Sequence, residues 1–222
     1  MMTRIGWLGG IAALALWGTA LWGTTQAAPT NFSFTGNFEF DDDVAVFDFT
    51  VGAPSNVVLR TYGYAGGTNA AGTSFDAGGL DPILSLFNLG TGDFIAGNDD
   101  GGTDVGTDPN TLQQFDAFLA IALGPGSYRV ALTQYDNCPI GATCDEPTTR
   151  IGEPTFTSEF GCTNGIFCDN SGVDPFNNRT SFWALDILGV ETEVAVALSE
   201  PAGLAIIGIG LLGLGWARRA RR

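Results

Sequence analysis

Short apolar runs separated by clusters of glycine and aspartate make up the chain from Asn31 to Val190. In several of these runs an apolar residue recurs at every second position; the clearest cover residues 45–51, 119–123, 128–132 and 183–187. A period of two puts the apolar side chains of a β-strand on one face, where they can pack against a core. No run in this segment has the longer period that indicates an amphipathic helix.

The pattern predicts about eight short strands joined by polar loops. Their expected ranges are 32–40 (with a turn or bulge at its centre), 44–51, 57–64, 83–89, 94–96, 115–123, 127–135 and 180–190. The glycine-rich loop from Gly66 to Gly79 is the best candidate for a mobile segment. Residues 136–179 are expected to be irregular apart from a short strand around Phe156. This arrangement favours an antiparallel β-sandwich or jelly roll, so the expected fold class is all-β.

The first 27 residues have the composition of a secretory signal peptide. Arg4 precedes an apolar run, and the small residues Thr25 and Ala27 occupy the −3 and −1 positions of a cleavage site. We therefore expect residues 1–27 to form a signal helix that directs the chain to the Sec export machinery and is then removed. An uncleaved N-terminal anchor is the alternative.

The last 24 residues, 199–222, combine three features in a fixed order. Ser199, Glu200 and Pro201 form an acidic, proline-containing break; an uncharged segment then predicts a transmembrane helix at 202–217, and a basic tail follows at 218–222. The arginines of that tail are Arg218, Arg219, Arg221 and Arg222. Arginine stays on the cytoplasmic side of a membrane, so the residues before Glu200 are expected outside. The expected division is an ectodomain at 28–190, a linker at 191–198 and this C-terminal segment. A short strand between Glu191 and Ser199 is the alternative to an irregular linker.

The C-terminal segment resembles the PEP-CTERM sorting signal of Gram-negative bacteria that produce exopolysaccharide. Ser199 stands where that family has its first proline, so only Glu200 and Pro201 match the name-giving triplet. The resemblance implies that an exosortase, a membrane-embedded cysteine protease, recognises the tail during export. It further implies an inner-membrane-tethered precursor that is released to the cell surface or the extracellular matrix. A plain membrane anchor is the alternative.

The exported segment is strongly acidic. Residues 28–198 hold 23 of the 24 acidic residues and four of the nine arginines, a net charge of −19. Such a surface repels nucleic acids and anionic lipids, so nucleic acid is not an expected partner. The chain has no histidine and no lysine, which excludes Ser-His-Asp and Cys-His catalysis as well as a Walker phosphate loop. Paired carboxylates remain, and they would make the protein a small glycoside hydrolase.

Four cysteines fit an oxidising compartment. They fall in two pairs with five residues between the members, Cys138 with Cys144 and Cys162 with Cys168. Four cysteines can form two disulfides in three ways. The bonds Cys138–Cys144 and Cys162–Cys168 are favoured, because the short loops that they close cost little entropy. A zinc site is rejected because the chain has no histidine and the spacing is wider than in zinc motifs.

Calcium is the one cofactor that the loops suggest. Asp99, Asp100 and Asp104 offer carboxylates next to two glycines that let the backbone fold around an ion, and residues 41–43 are a second candidate. Neither segment follows a known calcium-loop pattern. Aromatic side chains stack on sugars, and the candidates are Tyr62, Tyr64, Tyr135 and Trp183. Trp183 lies in an alternating strand, so we expect it in the core instead.

A second resemblance covers about residues 40 to 135, which look like the bacterial pre-peptidase C-terminal domain, a jelly-roll module of secreted proteins. It rests on Asp43-x3-Phe47-x-Phe49, Leu80-Asp81-Pro82, Asn98-Asp99-Asp100-Gly101 and the run Leu123 to Val130. The closing region is similar to an uncharacterised group of PEP-CTERM proteins, which implies no known activity.

Together these patterns predict an exported, non-enzymatic surface or matrix protein that is processed by exosortase and associated with exopolysaccharide and biofilm. The alternative is a calcium-dependent carbohydrate-binding module anchored at the membrane. The third interpretation is the carboxylate-dependent glycoside hydrolase.

Overall fold

The computed structural model of the chain describes residues 30–138, 149–191 and, for the backbone alone, 195–199. The predicted signal helix at 1–27, Cys144, Glu200, Pro201, the predicted transmembrane helix at 202–217 and the basic tail lie outside these ranges. Within them, no helix has the length and the apolar character that a membrane span requires.

Eleven strands and two short 3-10 helices make up the regular structure of the described ranges. The strands are β1 (Thr30–Asn37), β2 (Val44–Val51), β3 (Ser55–Thr61), β4 (Gly67–Thr68), β5 (Ser74–Phe75), β6 (Pro82–Asn88), β7 (Phe94–Asn98), β8 (Phe118–Leu123), β9 (Gly126–Gln134), β10 (Phe182–Val190) and β11 (Ala195–Ser199). The 3-10 helices are Gly102–Asp104 and Phe156–Phe160.

The strands form two larger antiparallel sheets and one small hairpin. One sheet has four strands in the order β1-β10-β3-β8, and the other has five in the order β11-β2-β9-β6-β7. Strands β4 and β5 pair only with each other among the described strands. The prediction of an all-β, antiparallel fold is confirmed.

The core lies between the two larger sheets, and the alternating runs supply it. In β2 the apolar side chains at 45, 47, 49 and 51 are buried, and in β10 Trp183, Leu185 and Ile187 are buried as predicted. The two sheets meet at Phe47 and Trp183, whose rings make an edge-to-face contact with centroids 5.8 Å apart. Trp183 is therefore a core residue, as expected.

The first strand differs from its prediction. Instead of breaking near Gly36, β1 runs without a turn to Asn37. Gly36 is the partner of Trp183 on β10, and a Cβ at Gly36 would lie 2.3 Å from Trp183 Cζ2. Glycine at this position therefore makes room for the indole ring and does not end the strand.

One expected loop also carries structure that the sequence pattern did not indicate. The segment from Gly66 to Gly79 contains the β4–β5 hairpin, and Ala70 N–H donates a hydrogen bond to the buried Asp186 on β10. A strand around Phe156 was predicted, and this is wrong, because the segment is a 3-10 helix. Residues 195–199, within and just after the expected linker, form β11 at the edge of the five-stranded sheet.

Candidate functional site

Arg179 lies at the centre of a buried polar cluster that also contains Tyr64, Asp108 and Asp169. Its Nη2 is 3.0 Å from Asp108 Oδ2, and its Nε is 3.7 Å from Asp169 Oδ2. The guanidinium also donates to the carbonyl oxygens of Gly79 and Tyr64. Both ion-paired side chains of Arg179 and Asp108 are almost fully shielded from water, at 2% and 0% exposure. The donors of this arginine are therefore used within the fold.

Burial and hydrogen bonding act in opposite directions on the ionisable groups of this cluster. Burial alone would raise the pKa of Asp108, but the backbone N–H groups of Thr111 and Asn110 and the Arg179 charge together lower that pKa. Burial raises the pKa of Tyr64 well above its usual range, and its hydroxyl donates to Asp169 Oδ2 at 2.7 Å. The charged and polar groups of the cluster are therefore bonded to one another and to the backbone of the fold.

Three other buried carboxylates attach loops to the sheets. Asp116 accepts from the backbone N–H groups of Tyr64 and Ala65 and from the Thr61 hydroxyl. Asp186 accepts from Tyr62, Ser33 and the β4–β5 hairpin.

Asp41, from the second candidate calcium segment, has the same role. It accepts from the backbone and hydroxyl of Thr157 and from Phe167 N–H, so it connects the β1–β2 turn to the irregular region. Burial raises the pKa of Asp41 and of Asp116 despite these bonds. Both carboxylate oxygens of Asp41 therefore accept hydrogen bonds from Thr157 and Phe167.

Asp81 differs from these carboxylates, because one of its buried oxygens accepts no hydrogen bond from the described residues. It precedes β6 and is 4% exposed, and in the described part of the chain its Oδ1 has no hydrogen-bond partner. Leu84 on β6 pairs with Asn98 at the end of β7, which brings Asp99 and Asp100 alongside the start of β6. Burial raises the pKa of Asp81 well above its usual range, and the negative charge of Asp100 adds to the shift.

The three predicted calcium ligands are only partly brought together. Asp99 and Asp100 follow β7 and are exposed, whereas Asp104 ends the 3-10 helix that comes next and is also exposed. Within the described ranges, no group of three or more acidic or cysteine side chains converges closely enough to hold a metal ion. Calcium binding by Asp99, Asp100 and Asp104 therefore stays a prediction.

An open groove of about 380 Å³ lies beside the same corner of the five-stranded sheet. Its walls come from β6, β7 and the segment that follows β9. The lining residues are Ile83, Ser85, Phe94, Gly97, Asn98, Asp99 and Cys138. Phe94 is 44% exposed and packs edge-to-face on Phe87. The groove thus combines one accessible aromatic ring with amide, hydroxyl and carboxylate groups.

The aromatic residues chosen from the sequence for sugar stacking are mostly inaccessible. Tyr62, Tyr64 and Trp183 are buried in the core or in the polar clusters. Only Tyr135, among these four, keeps part of its surface exposed, and its ring lies 6.0 Å from that of Phe160. A stacking role for Tyr62 and Tyr64 is therefore wrong, because their rings are buried, whereas Trp183 lies in the core as expected.

One of the two expected disulfides is present. Cys162 and Cys168 are bonded, with their Cα atoms 5.5 Å apart. Among the cysteines that the structure describes, Cys138 is a free thiol, and its expected partner Cys144 lies outside the described ranges. The Cys138–Cys144 bond stays a prediction.

Sequence reasoning missed the roles of Arg179 and Asp81. One signal was available for Arg179, since it is one of only four arginines in a segment with 23 carboxylates. In the sequence, Asp81 stands out only as part of the Leu80-Asp81-Pro82 match, and nothing in its neighbours along the chain indicates that its carboxylate is buried. No family model matches this chain, and no curated protein is significantly similar to it.

Proposed function

We propose that the protein is an exported, non-enzymatic surface or matrix protein whose C-terminal segment is a PEP-CTERM-type sorting signal processed by an exosortase. The signal peptide would direct the chain to the Sec machinery, and the β-domain would fold and oxidise in the periplasm. The apolar tail would hold the precursor at the inner membrane of a Gram-negative bacterium. Cleavage near Glu200 and Pro201 would release the domain to the cell surface or the exopolysaccharide matrix of a biofilm.

The observation that carries this proposal is the position of β11 relative to the tail. Strand β11 ends at Ser199 and pairs with β2, so the ectodomain extends to the residue immediately before Glu200. A cut at Glu200 would therefore leave every described strand intact.

A non-enzymatic role is supported by the use that the fold makes of its carboxylates. Asp41, Asp116 and Asp186 accept hydrogen bonds from backbone groups of distant segments. Asp108 and Asp169 neutralise Arg179. A glycoside hydrolase needs two carboxylates about 5–10 Å apart across a sugar-binding cleft, and these five are buried structural groups.

We also propose that the ectodomain is a jelly roll. Without β4, β5 and β11, the strand orders are β1-β10-β3-β8 and β2-β9-β6-β7. A double-sheet jelly roll has eight strands in two Greek keys, in which the chain crosses repeatedly from one sheet to the other. The crossings from β1 to β2, β2 to β3 and β8 to β9 support this assignment.

The sorting proposal is tested by the intact mass of the protein recovered outside the producing cells. We expect a mass that lacks the first 27 residues or so and everything beyond about residue 200. The Glu200→Ala variant should accumulate in the membrane fraction with its C-terminus intact, while Ser199→Ala should be processed normally if Glu200 and Pro201 carry recognition. A parent protein that keeps its full C-terminus in the membrane would show that the tail is only an anchor.

A second candidate function is calcium-dependent binding of a carbohydrate, and the groove on the five-stranded sheet favours it. Its accessible Phe94 ring and nearby polar groups from Asn98 and Ser85 have the chemistry that carbohydrate sites use. The association with exopolysaccharide would then be a direct contact between this groove and the matrix polymer.

Calorimetric titration with the host's own polysaccharide, with and without a chelator, tests this second function. Binding heat should appear only with calcium and should be lost in Phe94→Ala. Phe176→Ala is the matched control, because Phe176 is an equally accessible ring at 42% exposure that does not line the groove. Absence of heat in both conditions would exclude carbohydrate binding and leave the sorting proposal untouched.

A further inference from the structure

The end of the ectodomain is held in the five-stranded sheet as far as Ser199. Strand β11 runs antiparallel to β2, from the pair Ala195–Asp48 to the pair Ser199–Val44. Among the described strands it pairs with β2 alone, so it is an edge strand. The proposed cut near Glu200 therefore directly follows a paired strand.

The backbone groups of Ser199 are used in this pairing. The carbonyl oxygen of Thr50 on β2 accepts a hydrogen bond from Glu191 N–H, so it points to the side of β2 on which β11 lies. Every second residue of a strand faces the same neighbour, so the backbone groups of Val44 also face β11. Its partner Ser199 thus turns its N–H and C=O groups towards β2. That carbonyl group belongs to the peptide bond between Ser199 and Glu200.

Folded polypeptide lies beside the end of β11. Val44 begins β2 directly after the β1–β2 turn. In that turn Asp41 N–H donates to the Pro154 carbonyl oxygen at 3.0 Å, and the Asp42 carboxylate accepts from Gly152 N–H at 2.8 Å. The turn and the irregular region are therefore bonded to each other next to the point where β11 ends.

The predicted membrane helix begins close to the same point. From Ser199 to Ala202, the first residue of that helix, an extended chain spans no more than about 11 Å. A membrane-embedded protease would have to reach the chain within this span, with the folded end of the domain beside it. Separation of β11 from the sheet would add its five residues, about 17 Å of extended chain, to the tether.

We propose that the exosortase cuts the chain only when β11 has separated from β2, so that the pairing of this edge strand controls the rate of C-terminal processing. Extended peptides are commonly bound through their backbone groups, by strand addition. Ser199 cannot offer the same groups to β2 and to a protease at once. Cleavage from a transiently opened state follows the population of that state. This inference rests on the sorting proposal and adds the conformation that the protease recognises.

The test fixes β11 to β2 with an engineered disulfide, Val46→Cys together with Ala197→Cys. The two residues are partners in the ladder, whose opposed Cα atoms lie about 4.5–5.5 Å apart, within the span of a disulfide. Intact mass follows the conversion of precursor to cleaved product in the producing cells, and peptide mapping verifies the bond. We expect the locked chain to lose cleavage, whereas each single cysteine variant should be cut at the rate of the parent.

A spacer shows whether the position of the cut causes this loss. About six glycine and serine residues, inserted between Ser199 and Glu200 of the locked chain, carry the cut about 20 Å from the strand, and cleavage should return. The same spacer inserted after Thr192 of the locked chain is the matched control. It should not restore cleavage, because β11 stays bonded to β2 next to the cut.

Two results would overturn this inference and leave the sorting proposal standing. Cleavage of the locked chain at the rate of the parent would show that the protease acts on the paired strand. Failure of the spacer after Ser199 to restore cleavage would show that the disulfide acts by another route. A parent chain that is never cut would instead overturn the sorting proposal, and this inference with it.

Discussion

The guanidinium carbon of Arg179 lies 3.8 Å from the centroid of the Tyr64 ring, and the hydroxyl of that ring donates to Asp169, which Arg179 also contacts. Arg179 follows the irregular disulfide-bearing region, whereas Tyr64 follows β3. A cation over an aromatic face and a shared carboxylate therefore join two segments that are 115 residues apart in the chain.

Removal of Arg179 should be among the most damaging substitutions in the described part of the domain. Arg179→Met leaves Asp108 and Asp169 buried with an uncompensated charge, so we expect a loss of about 3–5 kcal/mol in the free energy of unfolding. Arg129→Met is the matched control, because its ion pair with Asp48 is partly exposed (21% and 33%) and should cost less than about 1 kcal/mol. Urea denaturation followed by tryptophan fluorescence measures both, and equal losses would contradict a special role for the buried cluster.

The Cys162–Cys168 disulfide should stabilise the irregular region by a modest amount. The two cysteines are six residues apart, and closing so short a loop contributes about 2 kcal/mol in the chain-entropy treatment. Cys162→Ala should therefore lower the free energy of unfolding by that amount. Cys138→Ala should have little effect if Cys138 is unbonded, as it is among the cysteines that the structure describes.

Denaturation under oxidising conditions, with thiols counted by mass spectrometry after alkylation, checks both variants. A large loss in Cys138→Ala together with no free thiol in the parent would instead indicate that Cys138 is bonded to Cys144.

Stability should decrease as the pH rises above about 4. Burial raises the pKa of Asp41 and of Asp116 in the folded protein, so between the unfolded and folded pKa values the native state binds more protons than the unfolded state. Their contribution is fully present below the unfolded pKa and is lost as the pH rises through the folded pKa. Thermal unfolding in a chelating buffer from pH 4 to pH 8 measures this slope.

Two variants assign the slope to buried carboxylates. Asp41→Asn cannot titrate and should flatten the dependence on pH, although it also loses an acceptor for the Thr157 hydroxyl or N–H. Asp93→Asn changes an exposed carboxylate and should leave the slope of the parent. A slope that is the same in all three proteins would show that general charge repulsion, and not burial, causes it.

Strand β11 should protect the edge of the five-stranded sheet. It pairs with β2 from Ala195–Asp48 to Ser199–Val44, so its removal exposes the backbone groups of β2 along that edge. A chain that stops after Glu191 should self-associate, whereas one that stops after Ser199 should remain monomeric. Size-exclusion chromatography with light scattering distinguishes the two, and a monomeric shorter chain of unchanged stability would mean that β11 is dispensable.

Local sequence was sufficient for the class of fold and for most of the core. The period of two in β2 and β10 places Phe47 and Trp183 inward whatever lies opposite, because successive side chains of a strand point to opposite faces. The same reasoning wrongly placed a turn or bulge at Gly36. Glycine occurs there because the indole ring of Trp183 on the neighbouring strand leaves no space for a side chain. It assigned residues 191–198 to a linker that could hold a short strand, and only the pairing with β2 defines that strand as β11.

The candidate site shows the same division between local and tertiary information. Acidic loops, paired cysteines and the absence of histidine are properties of composition, and the sequence alone determined them, together with the two terminal patterns on which the sorting proposal depends. Only the tertiary structure decided that Asp41 holds the irregular region and that Arg179 neutralises Asp108 and Asp169. It also decided that one oxygen of Asp81 is buried without a partner among the described residues. The free energy of a carboxylate depends on its burial and its partners, and both are set by segments distant along the chain.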